Sequence, residues 1–138
     1  VVHGYFDDQR FFRVIPGRLV QFGLHGMPEI AASWYDATLP DDPVQLGNSR
    51  GTLAFASEGT AHSRTTQIFV NLSDNDDFDH MGLVPFGRIV QGIRAVDQIH
   101  AEYGELPEQN RIIREGNDYL ARSFPSLDRI GEARLSND

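Results

Sequence analysis

Between Phe11 and Gln21 the chain reads Phe-Phe-Arg-Val-Ile-Pro-Gly-Arg-Leu-Val-Gln, a short apolar run that contains a permanent cation and breaks at a Pro-Gly pair. If residues 10–15 extend as a strand, Phe11, Arg13 and Ile15 share one face while Phe12 and Val14 share the other. Neither face is then the wet one, and Arg13 is expected to be half-buried. A guanidinium held against aromatic and aliphatic groups is costly to desolvate unless something uses its planar fork of donors. Two readings of Arg13 stay open on this alone: a group that works on a ligand, or an arginine that snorkels to water or pairs with a carboxylate. Pro16-Gly17 suits the centre of a turn, and Leu19 to Gly23 reads as the returning strand, so a hairpin is predicted.

The remaining elements are short. Residues 51–56, 67–72 and 86–90 carry the alternation or the aromatic and β-branched enrichment of strands. Gly92 precedes Ile93 to His100, whose apolar positions recur at three and four and predict a short amphipathic helix. Met27 to Asn48, broken by Pro28, Pro40 and Pro43, reads as an ordered excursion with one helical turn at Glu29–Trp34. Asn117 is expected to cap a helix through Arg122 that Pro125 ends, and Ile130 to Leu135 alternates like a closing strand. Such spacing favours a barrel or sandwich with a few helices over an alternating parallel α/β fold.

At 138 residues, 40% of them apolar and 10% aromatic, the chain suits one domain over residues 1–138. No apolar run approaches the roughly 20 residues that cross a bilayer, so no membrane partner is expected and a soluble chain is predicted. With Lys+Arg 12 against Asp+Glu 20 and a net charge of -8, nucleic acid is an unsuitable partner. The absence of cysteine excludes disulfides, thiolate metal sites and cysteine nucleophiles, and fits cytoplasm and periplasm equally.

Other chemical signals fail on spacing. Ser57-Glu58-Gly59 lacks the leading glycine of a nucleophile elbow, because Phe55 stands there. Asp74 to Asp79 resembles a calcium loop without its glycine and its final glutamate. His3, His25, His62, His80 and His100 never recur at metal-binding intervals, so no metal is expected; Gly47, Gly51 and Gly59 form no phosphate-cradling fingerprint, and no organic cofactor is expected. Asn71-Leu72-Ser73 matches a glycosylation acceptor but ends an expected core strand.

Taken in order, Phe11-Phe12-Arg13-Val14-Ile15-Pro16-Gly17 with Gln21, then Gly51 to Ala56, then Thr66-Gln67-Ile68-Phe69-Val70, then Val84-Pro85-Phe86-Gly87-Arg88-Ile89 closely resemble the cyclophilin-type peptidyl-prolyl cis/trans isomerases. Ile93 to Ile99 and the segment from Gly116 to Asp128 are similar to bacterial members. The resemblance implies a mainly β fold, a closed eight-stranded antiparallel barrel with capping helices. The family has two strands and a helix ahead of the segment matching Tyr5 to Arg13, so a chain lacking its N-terminal part, with fewer strands, is expected.

By this resemblance Arg13 matches the catalytic arginine, Gln21 the amide that positions it, and Phe69 the aromatic floor of a proline pocket. Leu19, Phe55 and Ala56 match its walls, Gln67 a polar contact to substrate backbone, and Ser57 a position whose backbone holds the peptide ahead of the proline. Phe78 and Leu83 stand where many eukaryotic members have tryptophan and histidine. They keep the pocket apolar, and the lost donors argue against tight cyclosporin binding. Arg18 replaces a frequent pocket phenylalanine and is expected to reshape substrate preference.

The implied activity is rotation about X-Pro bonds in proline-containing peptides and unfolded proteins by a monomer. The alternatives are a non-catalytic module or chaperone that binds proline segments in the same groove, and an unrelated barrel hydrolase, for which no nucleophile and base recur at recognisable spacing.

Overall fold

The hairpin anticipated from Pro16-Gly17 is present in a computed structural model, which describes residues 1–137. β1 (Arg13–Ile15) and β2 (Leu19–Phe22) pair antiparallel, with Arg13 opposite Gln21 and Ile15 opposite Leu19. Gly17 sits in the turn at φ +68°, a backbone region that a side chain disfavours. β3 (Thr52–Phe55), β4 (Ile68–Asn71) and β5 (Pro85–Arg88) complete a five-stranded sheet in the order β1-β2-β4-β3-β5, antiparallel throughout.

The helices are α1 (Pro28–Trp34), α2 (Asp76–His80), α3 (Ile93–Asp97), α4 (Gln109–Glu115) and α5 (Asn117–Ser123). Pro28 opens α1, where its missing N–H costs nothing and its fixed φ suits a first helical turn.

Strand periodicity sorts the core. Val14, Val20, Val70 and Leu53 lie opposite one another from β1 to β3, and Ile93, Val96 and Ile99 pack against that face from α3 and its end. The other face carries Leu19, Ala54 and Phe69, which cluster with Phe78 of α2. A third cluster joins Phe12 and Leu24 to Ile112, Tyr119 and Leu120 of the two C-terminal helices.

Three expectations need correction. The sheet is open: β1 and β5 do not pair, and Val14 N–H on the edge strand instead bonds the Gly104 carbonyl at 3.3 Å. A loop occupies the place that closure would give to a strand. Residues 130–135 form no strand; only an isolated Arg10–Arg129 bridge precedes them, because the acidic and basic residues there pair outward, as in Arg134–Asp7 at 2.8 Å. Asn117 makes no cap bond: it is the first residue of α5, and its Nδ2 donates to the Asp8 carbonyl at 3.2 Å. Gly116 takes the capping position at φ +64°, where any Cβ would overlap the Gly26 carbonyl. α4 has no counterpart among the helices expected from the sequence pattern.

Candidate functional site

Antiparallel register places Arg13, Gln21, Phe69 and Ala54 side by side, on neighbouring strands and one face of the sheet. A cation, an amide and an aromatic ring thus emerge in line. Each is a single residue in a short strand whose other face is buried, so a one-residue slip would carry all of them to the opposite face, and the hydrophobic pattern fixes the register against it.

Phe69 is 3% exposed and Phe78 is 8% exposed, with ring centres 5.4 Å apart and planes at 73°, an edge-to-face contact. Leu19 and Ala54 complete this buried cluster, and Ile15, Ala56 and Leu83 pack against it. The result is a buried apolar floor, of which Ala56 alone also lines the cavity described below.

Arg13 stands beside this floor and is held on two sides. Its Nε donates to Glu105 Oε2 at 2.9 Å, and Nη2 lies 2.9 Å from the same oxygen. Nη1 donates to Gln21 Oε1 at 3.0 Å. The guanidinium is half-buried, with 31% of its side chain exposed: it pairs with a carboxylate and also lines the cavity described below.

Gln21 passes the polarity on. Its Nε2 donates to Gln67 Oε1 at 2.7 Å, and Gln67 Nε2 donates to Gln109 Oε1 at 3.1 Å. Because Arg13 is only a donor, Gln21 must present oxygen to it, which fixes the sense of each amide along the row. A cavity of about 470 Å³ opens above it, lined by Arg13, Gln21, Gln67, Ala56, Ser57 and Gln109 among others.

Ser57 faces this cavity but spends its hydroxyl locally, accepting from Gly59 N–H at 3.1 Å and contacting Ser63 Oγ at 3.1 Å. Phe55 is not brought to the floor. Its register partner is Ile68, one residue from Phe69, so it belongs to the opposite face and stacks against Phe86 at 4.8 Å. The expectation that Phe55 walls the same pocket as Phe69 is corrected by the alternation of strand β3.

Arg18 lies with its guanidinium carbon 4.2 Å from the centre of the Phe78 ring. It bonds both oxygens of Asp77, at 3.0 and 2.6 Å, and Asn75 Oδ1 at 2.8 Å. The hydrogen bonds and charge of Arg18 hold the Asp77 carboxyl below its ordinary value.

Behind the floor runs a buried amide network that the sequence did not disclose. Asn71 Nδ2 donates to Asn48 Oδ1 and Thr52 Oγ1, at 3.0 and 2.9 Å, and Asn71 Oδ1 accepts from Asn75 Nδ2 at 2.8 Å. Asn48 Nδ2 reaches Asp79 Oδ1 and the Leu83 carbonyl, at 2.8 and 2.7 Å. These bonds tie β4 to both sides of α2 and so set where Phe78 and Leu83 stand. Asn71 is fully buried, which removes it as a glycosylation acceptor. Glu105, Gln109 and Asp77 were likewise missed; they meet their partners only through tertiary contacts, 92 residues apart for Arg13 and Glu105.

Among the described residues, no three His, Asp or Glu side chains converge as a metal-binding group, and no helix is long and apolar enough to cross a membrane.

Residues 1–117 match the family model described as cyclophilin type peptidyl-prolyl cis-trans isomerase/CLD. The chain is 32% identical over 100 residues to peptidyl-prolyl cis-trans isomerase A of Dickeya dadantii (strain 3937), covering 70% of this chain and 53% of that one. It is 32% identical over 111 residues to peptidyl-prolyl cis-trans isomerase B of Escherichia coli (strain K12), covering 70% and 63%. The chain thus spans between about half and two thirds of the length of these relatives. Its fold is similar to the crystal structure of a Cryptosporidium parvum cyclophilin type peptidyl-prolyl cis-trans isomerase in the presence of dipeptide Ala-Pro. That match has a TM-score of 0.57 and 22% identity, and covers 78% of this chain and 72% of that one.

Proposed function

The chain belongs to the cyclophilin type peptidyl-prolyl cis-trans isomerase family, and we propose on that premise that it accelerates rotation about X-Pro bonds in proline-containing peptides and unfolded proteins. Arg13, Gln21 and Phe69 form the reacting site. Leu19, Ala56, Phe78 and Leu83 grip the pyrrolidine ring, while Gln67 and the Ser57 backbone engage the chain beside it. The observation that carries the reading is a guanidinium fixed by its neighbours on the sheet face that also carries a buried aromatic cluster.

Peptide bonds rotate slowly because the nitrogen lone pair is delocalised into the carbonyl, a barrier of roughly 18–20 kcal/mol. The two X-Pro isomers differ by only about 1 kcal/mol, so a catalyst has only the barrier to lower. As the bond twists, the lone pair localises on a pyramidal nitrogen. A donor aimed at that atom bonds the twisted state better than the planar one, which is the condition for raising the rate. With Gln21 and Glu105 satisfied, the donor count leaves Arg13 one further N–H on each of Nη1 and Nη2. No proton need leave it, so no acid/base partner is required. An apolar floor that excludes water also disfavours the dipolar planar form.

Exchange spectroscopy on a short Ala-Pro peptide tests this. The chain is expected to broaden or exchange the cis and trans signals, and Arg13→Ala to slow that exchange by roughly a hundredfold, the usual cost of one transition-state donor, while peptide still binds. Equal exchange by both proteins would defeat the assignment of Arg13. Binding without any exchange would make the groove a recognition module.

A further inference from the structure

Arg13 and the row of amides beside it are gripped at both ends by one segment, residues 105–109. Glu105 takes Nε and Nη2 of Arg13 at one end, and Gln109 accepts from Gln67 at the other. Gln21 alone gives Arg13 one attachment, at Nη1, about which a guanidinium can pivot. Adding Glu105 on the opposite edge fixes both the plane of the group and its direction.

The turn that carries Glu105 is anchored. Leu106 N–H bonds the Tyr103 carbonyl at 2.9 Å, and Val14 N–H, next to Arg13, bonds the Gly104 carbonyl. The Tyr103 ring packs between His100 and Phe124, each 5.1 Å away, and its hydroxyl accepts from Ser126 N–H at 3.2 Å. The carboxylate is therefore delivered to Arg13 by a tied backbone.

We propose that Glu105 is a positioning residue for the isomerase: it holds the Arg13 guanidinium aimed at the prolyl nitrogen, and it acts on the rotation step more than on peptide affinity. The inference rests on the isomerase reading of Arg13 given above. Glu105 is 60% exposed, and exposed ion pairs add little to folding stability, so its expected signature is catalytic. Misorienting a reacting group costs rate even where every binding contact is kept.

The test measures three quantities on the full chain, Glu105→Ala and Glu105→Gln: cis/trans exchange of a saturating Ala-Pro peptide, peptide affinity, and the Arg13 Nε–Hε resonance. Glu105→Ala is expected to slow exchange on the protein roughly three- to tenfold and to shift or broaden the Arg13 signal, with affinity within about twofold and an unchanged unfolding midpoint. Glu105→Gln keeps an acceptor for Nε–H and should recover part of the rate. Exchange that is unchanged or faster in Glu105→Ala, or an undisturbed Arg13 signal, overturns the inference. A slower rate accompanied by a matching drop in the unfolding midpoint also overturns it, because the role is then structural. If the unsubstituted chain drives no exchange at all, the isomerase reading falls and this inference with it; an unchanged rate in Glu105→Ala beside an active unsubstituted chain removes only Glu105.

Discussion

The guanidinium of Arg18 covers the face of Phe78 at 4.2 Å while Asp77, one residue earlier in α2, takes both of its forward donors. The wall of the proposed proline pocket therefore carries a cation that is neutralised in place. Asp77→Asn should leave Arg18 uncompensated. Peptides with an acidic residue beside proline are then expected to bind roughly two- to fivefold tighter at low salt, with the gain fading near 0.5 M salt as the charges are screened. Titration by fluorescence or NMR against a neutral peptide provides the comparison; equal tightening of both peptides would remove Arg18 from substrate selection.

Gly23 follows β2 at φ +116°, and a Cβ there would stand 2.6 Å from Gln67 Cα and overlap the Thr66 carbonyl. Only glycine lets the end of β2 lie this close to the Thr66–Gln67 backbone. Gly23→Ala is expected to cost about 2 kcal/mol or more by denaturant unfolding, from left-handed strain together with the clash. It should also displace Gln67 and weaken peptide binding. An unperturbed midpoint would mean that the backbone there moves freely.

Asn71 connects Asn48, Thr52 and Asn75 in a buried network, so its removal takes a partner from three polar groups at once, although Thr52 Oγ1 keeps its bond to the Ser49 carbonyl and Asn75 Nδ2 its bond to the Arg18 carbonyl. Asn71→Ala should destabilise the protein by roughly 2–4 kcal/mol in equilibrium unfolding. Because the same network holds Asp79 and Leu83, the Phe78 ring should lose its fixed environment, visible as averaged aromatic signals. A loss below about 0.5 kcal/mol would show that water satisfies the site instead.

Acid should unfold the protein in two stages. His25 is held below its ordinary 6.5 by burial, so the unfolded chain takes up that proton first and stability begins to fall as pH drops below about 6.5. Asp7, Asp8, Asp77, Asp97 and Glu115 are held below their ordinary values chiefly by hydrogen bonds to Arg134, Arg129, Arg18, Arg50 and Arg111. Their contribution is full above the ordinary carboxylate range and is lost as pH falls through and below about 4. Thermal midpoints recorded from pH 7 to pH 2 check the profile, and His25→Gln should remove its upper stage. A midpoint that rises on acidification would contradict the sign.

Local rules made much of the molecule legible in one dimension. Pro16-Gly17 gave away the first hairpin, and the ordered blocks around Arg13, Gly51, Gln67 and Phe86 carried the family resemblance that the comparison with known proteins bears out. Alternation in β1 placed Arg13 opposite Val14 in facing, and the strand register then set it beside Gln21 and Phe69. The same alternation, applied to β3, separates Phe55 from Phe69, a distinction that resemblance by itself obscured.

What the sequence determined alone is therefore the set of short strands, their turns, and the unusual cation among apolar neighbours, since these follow from backbone sterics and side-chain period. Only the tertiary structure decided that Glu105 and Gln21 share Arg13, that Asp77 quiets Arg18, that a loop rather than a strand meets the edge of β1, and that the asparagines close on one another inside. Hydrogen bonds and ion pairs between distant residues leave no periodicity in a chain. Their partners are chosen by where packing of the apolar faces brings the backbone, and by the cost of burying any donor or acceptor that packing leaves alone.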